Sequence, residues 1–162
     1  MEEAEARRLV ETYADMIVRI SRGYLRRTCD AEDVCQTVFL KYLTEKRVFE
    51  SPAHEKAWII RTAINVCKDC LKSAFFRHTV PLEEAAGVSV QPEGEPVLLD
   101  ALRTLPENYR ISLYLYYYEA YSTKEIAAVL GKRENTVSAW LSRGRQRLRR
   151  YLSAEGAAEY EG

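Results

Sequence analysis

Between Tyr121 and Leu152 the sequence YSTKEIAAVLGKRENTVSAWLSRGRQRLRRYL holds eight Lys and Arg residues against two acids, Glu125 and Glu134. The chain as a whole has 24 basic and 24 acidic residues, so the rest of it carries 16 against 22. Formal neutrality therefore conceals a basic pole, which is the charge distribution that takes phosphates. Arginine and serine side chains at one end of a helix can also hydrogen-bond base edges, so the chemistry on offer is nucleic-acid recognition. A surface helix with an Arg-rich end is the alternative.

Other chemistry is harder to assemble. Cys67 and Cys70 form a CxxC, but Cys29 and Cys35 give no second pair and the two histidines, His54 and His78, stand at no zinc-ligand spacing. A structural zinc site needs four placed ligands. Both CxxC thiols fit the apolar side of a helix and are read as small buried hydrophobes. Paired carboxylates in a plausible pocket, a nucleophile triad and a phosphate-cradling loop are likewise missing from the pattern, so no enzyme and no cofactor is expected. The N-terminus MEEAEARR is charged and the apolar stretches run only a few residues. The expectation is a cytoplasmic protein with neither signal peptide nor membrane insertion.

The elements that must position the basic residues are helical. Ser122 followed by Glu125 is a capping-box start, with Ile126, Ala127 and Leu130 at helical spacing and Gly131 as the stop. Asn135 can cap the next helix, where Val137, Leu141, Gly144 and Leu148 form one stripe for burial. At about 100° per residue, Asn135, Ala139, Ser142, Arg143, Gln146 and Arg150 then face solvent. This is a helix-turn-helix.

Upstream, residues 4–25 read as a helix with Leu9, Tyr13, Met16, Ile17, Ile20 and Tyr24 on one face. Asp30 and Asp33 form a second capping signature for a helix running to about Lys46, broadly apolar through Val34, Cys35, Val38, Phe39, Tyr42 and Leu43. Phe49 falls in a turn with no helical register. Ser51-Pro52 opens a third helix through Trp58, Ile60, Ile64, Cys67 and Leu71, with Lys56, Arg61, Asn65, Lys68, Asp69 and Lys72 along its polar edge. From Thr79 to Asp100 there are five acids, no base and three prolines. Such a stretch buries little apolar surface and reads as a linker. Beyond it come a short helix stopped by Pro106 and a tyrosine-dense one, in which Tyr114, Tyr116, Tyr117 and Tyr118 are placed mostly in the core with hydroxyls at the rim, a base-stacking platform being the alternative. The fold class is all-α. An N-terminal helical bundle (1–77) and a C-terminal helix-turn-helix domain (97–153) are joined by a flexible acidic linker (78–96) and followed by an acidic tail (154–162).

Three segments in this order, DAEDVCQTVFLKYL (30–43), AWIIRTAINVCKD (57–69) and residues 102–152, together resemble the extracytoplasmic-function group of bacterial RNA polymerase sigma factors. The resemblance implies a non-catalytic subunit that binds core RNA polymerase and directs promoter recognition and DNA melting. It implies that Asp33, Gln36 and Phe39 belong to the polymerase-docking helix and that Phe49 lies in a loop that captures a flipped minus-ten base. Asn65 and Asp69 match polar positions on the minus-ten helix, with Lys56, Arg61 and Lys68 as phosphate contacts. Thr136, Ser138, Ala139, Ser142 and Arg143 fall on the major-groove helix for the minus-35 element, with Arg145 and Arg147 on phosphates. Core RNA polymerase and promoter DNA are the implied partners, and the resemblance admits an anti-sigma factor.

The chain departs from that pattern in three places. Thr37 stands where Glu is common, CLKSAFFRH (70–78) is less basic than usual, and Ser138-Ala139-Trp140 replaces a basic residue, Ser and Arg. An ordinary helix-turn-helix regulator, with residues 1–77 as a sensing or dimerisation domain, is the competing reading. It needs neither the linker nor the docking helix, and it binds promoters without polymerase.

Overall fold

The computed structural model describes residues 3–25, 28–77, 101–102 and 104–160. Among them the regular elements are all helical, and the chain divides into two compact units, Met1–Val90 and Gln91–Gly162. The whole of the expected linker, residues 78–96, lies outside the described residues.

The first unit packs three helices. α1 (Glu3–Tyr24) has Glu3 and Glu5 in its first turn, where carboxylates complement the helix dipole, and it buries all of Leu9, Tyr13, Met16, Ile17, Ile20 and Tyr24. α2 spans Thr28–Glu45. It begins two residues before the expected Asp30 cap, so Asp30 sits inside the first turn, still on the favourable side of the dipole. Ala31, Val34 and Val38 are its buried line, and Lys46 closes it in a left-handed conformation with φ 48°. α3 (Pro52–Arg77) starts as its sequence predicts: the Ser51 hydroxyl accepts from the His54 backbone N–H at 3.1 Å. Its buried face is wider than the expected stripe. Ile59, Ala63 and Val66 are buried beside Ile60, Ile64 and Cys67, while Leu71 is 37% exposed. The Cys67 thiol donates to the Ser21 hydroxyl at 3.7 Å, and that hydroxyl donates to the Ile17 carbonyl at 2.7 Å. Cys67 is thus a small core residue. Cys70 is half-buried, and burial, then the carboxylates of Asp30 and Asp69, push its thiol up, away from the reactive thiolate form.

One carboxylate ties the three helices together. Glu55, 8% exposed in the first turn of α3, accepts two hydrogen bonds from Arg8 of α1 at 3.1 Å each. The Tyr13 hydroxyl of α1 donates to its Oε1 at 2.6 Å, and the Tyr42 hydroxyl of α2 to its Oε2 at 2.7 Å. Burial acts to raise the acid, but the bonds from Arg8, Tyr13 and Tyr42 outweigh it and hold Glu55 at about 2. Burial and the bond to Glu55 push Tyr42 up to about 12, so it remains a donor.

The second unit is built around its last helix, α6 (Glu134–Tyr160). Ala101 and Leu105 are buried ahead of Pro106, whose carbonyl accepts from Tyr109 and Arg110 as α4 (Glu107–Leu113) begins. A π-helical turn, Tyr114–Tyr118, follows directly, with Glu119 N–H bonding the Tyr114 carbonyl five residues back at 3.3 Å. α5 (Thr123–Leu130) has the predicted capping box, Glu125 N–H to Ser122 Oγ at 3.1 Å and Ser122 N–H to Glu125 Oε1 at 2.9 Å, and Gly131 ends it at φ 67°. α6 runs Glu134–Tyr160. Asn135 is therefore inside the first turn rather than the cap, the Arg133 carbonyl accepting from Val137 N–H at 3.1 Å, and residues 154–160 continue the helix.

Val137, Leu141 and Gly144 are buried and Leu148 is half-buried, as the stripe requires. Gly144 marks a close approach, since a Cβ there would lie 3.0 Å from Leu113 Cδ1 and 3.3 Å from Tyr109 Cβ. The tyrosines correct the expectation of a mainly core role. Tyr116, Tyr117 and Tyr118 are 37%, 64% and 60% exposed, and Leu115 alone of the turn is buried. A π turn takes more residues per revolution than 3.6, so the three that follow Leu115 are carried outward together.

Glu55 yields a test with a defined sign. Its acid is held at about 2 in the fold against an ordinary value of 4.5. It thus contributes stability fully present above pH 4.5 and lost as pH falls toward 2, about 3 kcal/mol at most. Glu55→Gln should destabilise the first unit by about 3 kcal/mol at pH 7, with the deficit narrowing below pH 4.5. Urea unfolding of both proteins across pH 3–7 measures this; a deficit that stays constant with pH contradicts the assignment.

Candidate nucleic-acid interface

Four surfaces carry the residues singled out in the sequence. On α2, Asp33 and Gln36 are exposed and Phe39 is half-buried at the core edge. Thr37 Oγ1 donates to the Asp33 carbonyl at 2.8 Å, so at this departure from the family pattern the side chain folds back on its own helix. Leu40, 61% exposed, lies one turn beyond Gln36 and is not among the residues that the sequence singles out on this broadly apolar helix. The signal was present in the spacing, because 33, 36 and 40 share a face. Lys41 and Thr44 are exposed beside it, which places one apolar side chain inside a polar ring.

The α2–α3 loop covers Phe49 in part and exposes Val48. Phe49 is half-buried: its ring stacks on Tyr42 at 5.7 Å, meets His54 edge-on at 5.3 Å and tilts against Trp58 at 5.9 Å. Beneath it the Glu50 N–H donates to His54 Nδ1 at 3.1 Å, a second bond that fixes the loop onto the α3 cap. Val48 forms the tip and is 92% exposed. The left-handed Lys46 and the anchored Phe49 bracket that tip on either side.

Along α3, Arg61, Asn65, Lys68 and Asp69 are exposed and Lys56 is half-buried. Arg61, Asn65, Lys68 and Lys72 recur at i, i+4, i+7 and i+11, so the polar edge is one continuous line down the helix. Such a line can follow a nucleic-acid backbone while Asn65 and Asp69 supply directional hydrogen bonds.

The helix-turn-helix presents the N-terminal half of α6. Ser138, Ser142 and Arg143 are exposed and Thr136 and Ala139 partly covered; Ala139, Ser142 and Arg143 lie on the side away from Val137 and Leu141, and Thr136 and Ser138 at its edges. Arg145 and Arg147 differ from these. Arg145 is half-buried, its Nε donating to the Tyr117 hydroxyl at 2.6 Å and its guanidinium lying 5.2 Å and 5.4 Å from the ring centres of Tyr116 and Tyr117. Arg147 is exposed and lies 5.5 Å over the Tyr109 ring. Next to Arg145 an open groove of about 480 Å³ has a floor of Leu113, Leu148 and Leu152. Among the described residues no helix is long and apolar enough to cross a membrane.

Residues 9–75 match the family described as Sigma-70 region 2, and residues 97–148 match Sigma-70, region 4. The ECF RNA polymerase sigma factor SigM of Mycobacterium tuberculosis is 31% identical over 137 residues, which cover 83% of this chain and 70% of SigM. The ECF RNA polymerase sigma factor SigL of the same organism is 29% identical over 164 residues, covering 96% and 93% of the two chains. The sigma factor RpoE of Bartonella quintana, solved with the anti-sigma factor NepR, shares the fold at a TM-score of 0.67 and 19% identity, over 91% of this chain and 96% of that one.

The loop geometry sets apart two neighbours of similar hydrophobicity. Phe49→Ala removes a ring with three aromatic contacts and should cost about 2 kcal/mol, whereas Val48→Ser should stay within about 0.5 kcal/mol of wild type. Urea unfolding followed by Trp58 fluorescence in a Trp140→Phe background reads the first unit. Equal costs at the two positions would contradict the placement of Phe49.

Proposed function

The chain belongs to the ECF RNA polymerase sigma factors, and from that membership we propose that its two units divide promoter recognition between them. The chain binds core RNA polymerase and directs it to promoters for transcription initiation. The observation that carries the division of labour is the face of α6: a base-reading end with Ser138, Ser142 and Arg143 exposed, followed by arginines at its flanks. The N-terminal part of a helix in the major groove reaches base edges, and later residues meet the groove walls. Arg143 reads the minus-35 element together with Ser138, Ser142 and the partly covered Thr136 and Ala139, while Arg145 and Arg147 hold phosphates.

The first unit docks on polymerase and handles the minus-ten element. Leu40 is the apolar anchor of the docking face, with Asp33, Gln36 and Phe39 around it. An apolar side chain inside a polar ring is the arrangement that concentrates binding energy once the ring excludes water. Arg61, Lys68 and Lys56 hold phosphates along α3, and Asn65 and Asp69 make the directional contacts. Phe49 supports the loop from below, and the Val48 tip meets the opened strand. Melting is met by binding: unpaired bases find protein surfaces, each aromatic stacking contact being worth about 1–3 kcal/mol, and polymerase holding both units on one promoter converts two modest contacts into one tight one. The chain contributes specificity and acts where polymerase acts, in the cytoplasm.

Reconstituted holoenzyme tests both halves. Leu40→Asp should weaken the affinity for core polymerase by at least about tenfold with an unchanged unfolding midpoint, since truncating or charging an interface anchor costs about 2 kcal/mol or more. Unchanged affinity would remove this face from the interface, and promoter binding by the free chain without polymerase would favour the regulator reading. Holoenzymes carrying wild-type chain or Arg143→Ala, selecting from randomised minus-35 sequences, should differ at one base pair by about 1–3 kcal/mol of discrimination. Identical preferences at equal occupancy contradict base reading by Arg143. Normal minus-ten permanganate reactivity with Phe49→Leu and Val48→Ser holoenzymes would assign the loop a purely structural role.

A further inference from the structure

The tyrosines thrown outward by the π turn are in contact with one of the arginines on the flank of α6. We infer that Tyr117, with Tyr116, is a positioning residue that pre-sets Arg145 for a DNA phosphate. This rests on the reading of α6 as the minus-35 helix and adds to it two residues that lie on neither helix of the helix-turn-helix.

Three observations carry the inference. The Tyr117 hydroxyl takes the hydrogen of Arg145 Nε at 2.6 Å, which occupies the inner edge of the guanidinium. The same group lies 5.2 Å from the Tyr116 ring centre and 5.4 Å from that of Tyr117, and the two rings are themselves edge-to-face at 5.0 Å, so the cation is restrained by a hydrogen bond and by two ring contacts. Tyr117 is 64% exposed, which makes it a poor contributor to the core and leaves the fold with little reason to keep it.

A guanidinium held through Nε still has the donors of both terminal nitrogens for a ligand. That outer fork matches the oxygens of a phosphate. An arginine on a free stem loses rotamer freedom when it binds, and ordering one such side chain costs about 0.5–1.5 kcal/mol. Pinning it in advance removes that cost from the binding step. The contact carries no base information, because any phosphodiester presents the same two oxygens. The alternative use of the pair is as the rim of the apolar groove floored by Leu113, Leu148 and Leu152, in which case its partner is a protein segment.

Promoter affinity of reconstituted holoenzyme, measured as a function of salt, separates these roles. Arg145→Ala should weaken all promoter sequences alike and lower the slope of log K against log salt by about one unit. Tyr117→Phe keeps the charge and the ring, so it should weaken binding by about three- to tenfold with the slope unchanged. In an Arg145→Ala background Tyr117→Phe should have no further effect, which a merely structural role would not produce. Wild-type affinity in Tyr117→Phe, or the same penalty in both backgrounds, overturns the inference. A Tyr117→Phe defect confined to the affinity for core polymerase also overturns it, in favour of the groove-rim role. Failure of the wild-type holoenzyme to recognise any promoter overturns the minus-35 reading itself, and is distinguished by appearing before any substitution is made.

Discussion

A single carboxylate holds the first unit in register. Glu55 has four hydrogen-bond donors around its two oxygens, two from Arg8 and one each from Tyr13 and Tyr42, so the start of α3 cannot shift against α1 or α2 without leaving a buried charge short of partners. The proposed DNA-facing features inherit that constraint. Tyr42 gives its hydroxyl to Glu55 and its ring to Phe49, which joins the buried acid to the loop that presents Val48. Apolar contacts, among them those of Leu9, Ile17, Val34, Val38, Ile59 and Ile60, supply most of the burial, but they are not directional, and a hydrogen-bonded ion is.

The second unit reaches comparable definition by backbone means. Gly131 supplies a left-handed residue that turns the chain between the two helices of the motif, and Gly144, with no side chain of its own, makes room on α6 for Leu113 and Tyr109 of α4. Both glycines fix where the exposed face of α6 points. The Ser122–Glu125 box fixes where α5 begins, so the motif is determined at its start, its turn and its packing contact by short-range chemistry.

That distinction explains what could be read from the sequence. Every residue of the expected α1 face is buried, and the capping box and the Gly131 stop appear as their local signatures require, because periodicity and caps are decided within a turn or two of chain. The starts of α2 and α6 were misplaced by one or two residues, since Asp30 and Asn135 are good caps that also serve in a first turn. The Glu55 network joins residues 42 and 47 positions apart, and no local pattern signals it. Phe49 looked unassigned because its partners Tyr42, His54 and Trp58 belong to two different helices. Leu40 goes unnamed in the sequence because composition does not say which side of a broadly apolar helix a core will cover. The tyrosines differ for another reason: a run of similar side chains carries no register that says which of them a core will cover, and the π turn carries three of them outward.

The π turn has a consequence for how this protein can vary. A π turn is geometrically an α-helix with one residue inserted, accommodated locally instead of rotating everything downstream by about 100°. The inserted position is therefore uncoupled from the packing register: Leu115 remains buried before it and Tyr121 N–H still returns to the Leu115 carbonyl at 3.0 Å after it. Burial therefore does not hold Tyr116, Tyr117 and Tyr118 in the sequence, and for Tyr116 and Tyr117 the contact with Arg145 is the constraint that remains. A short exposed segment of this kind can change its side chains beside the helix-turn-helix without shifting the register of the helices on either side of it.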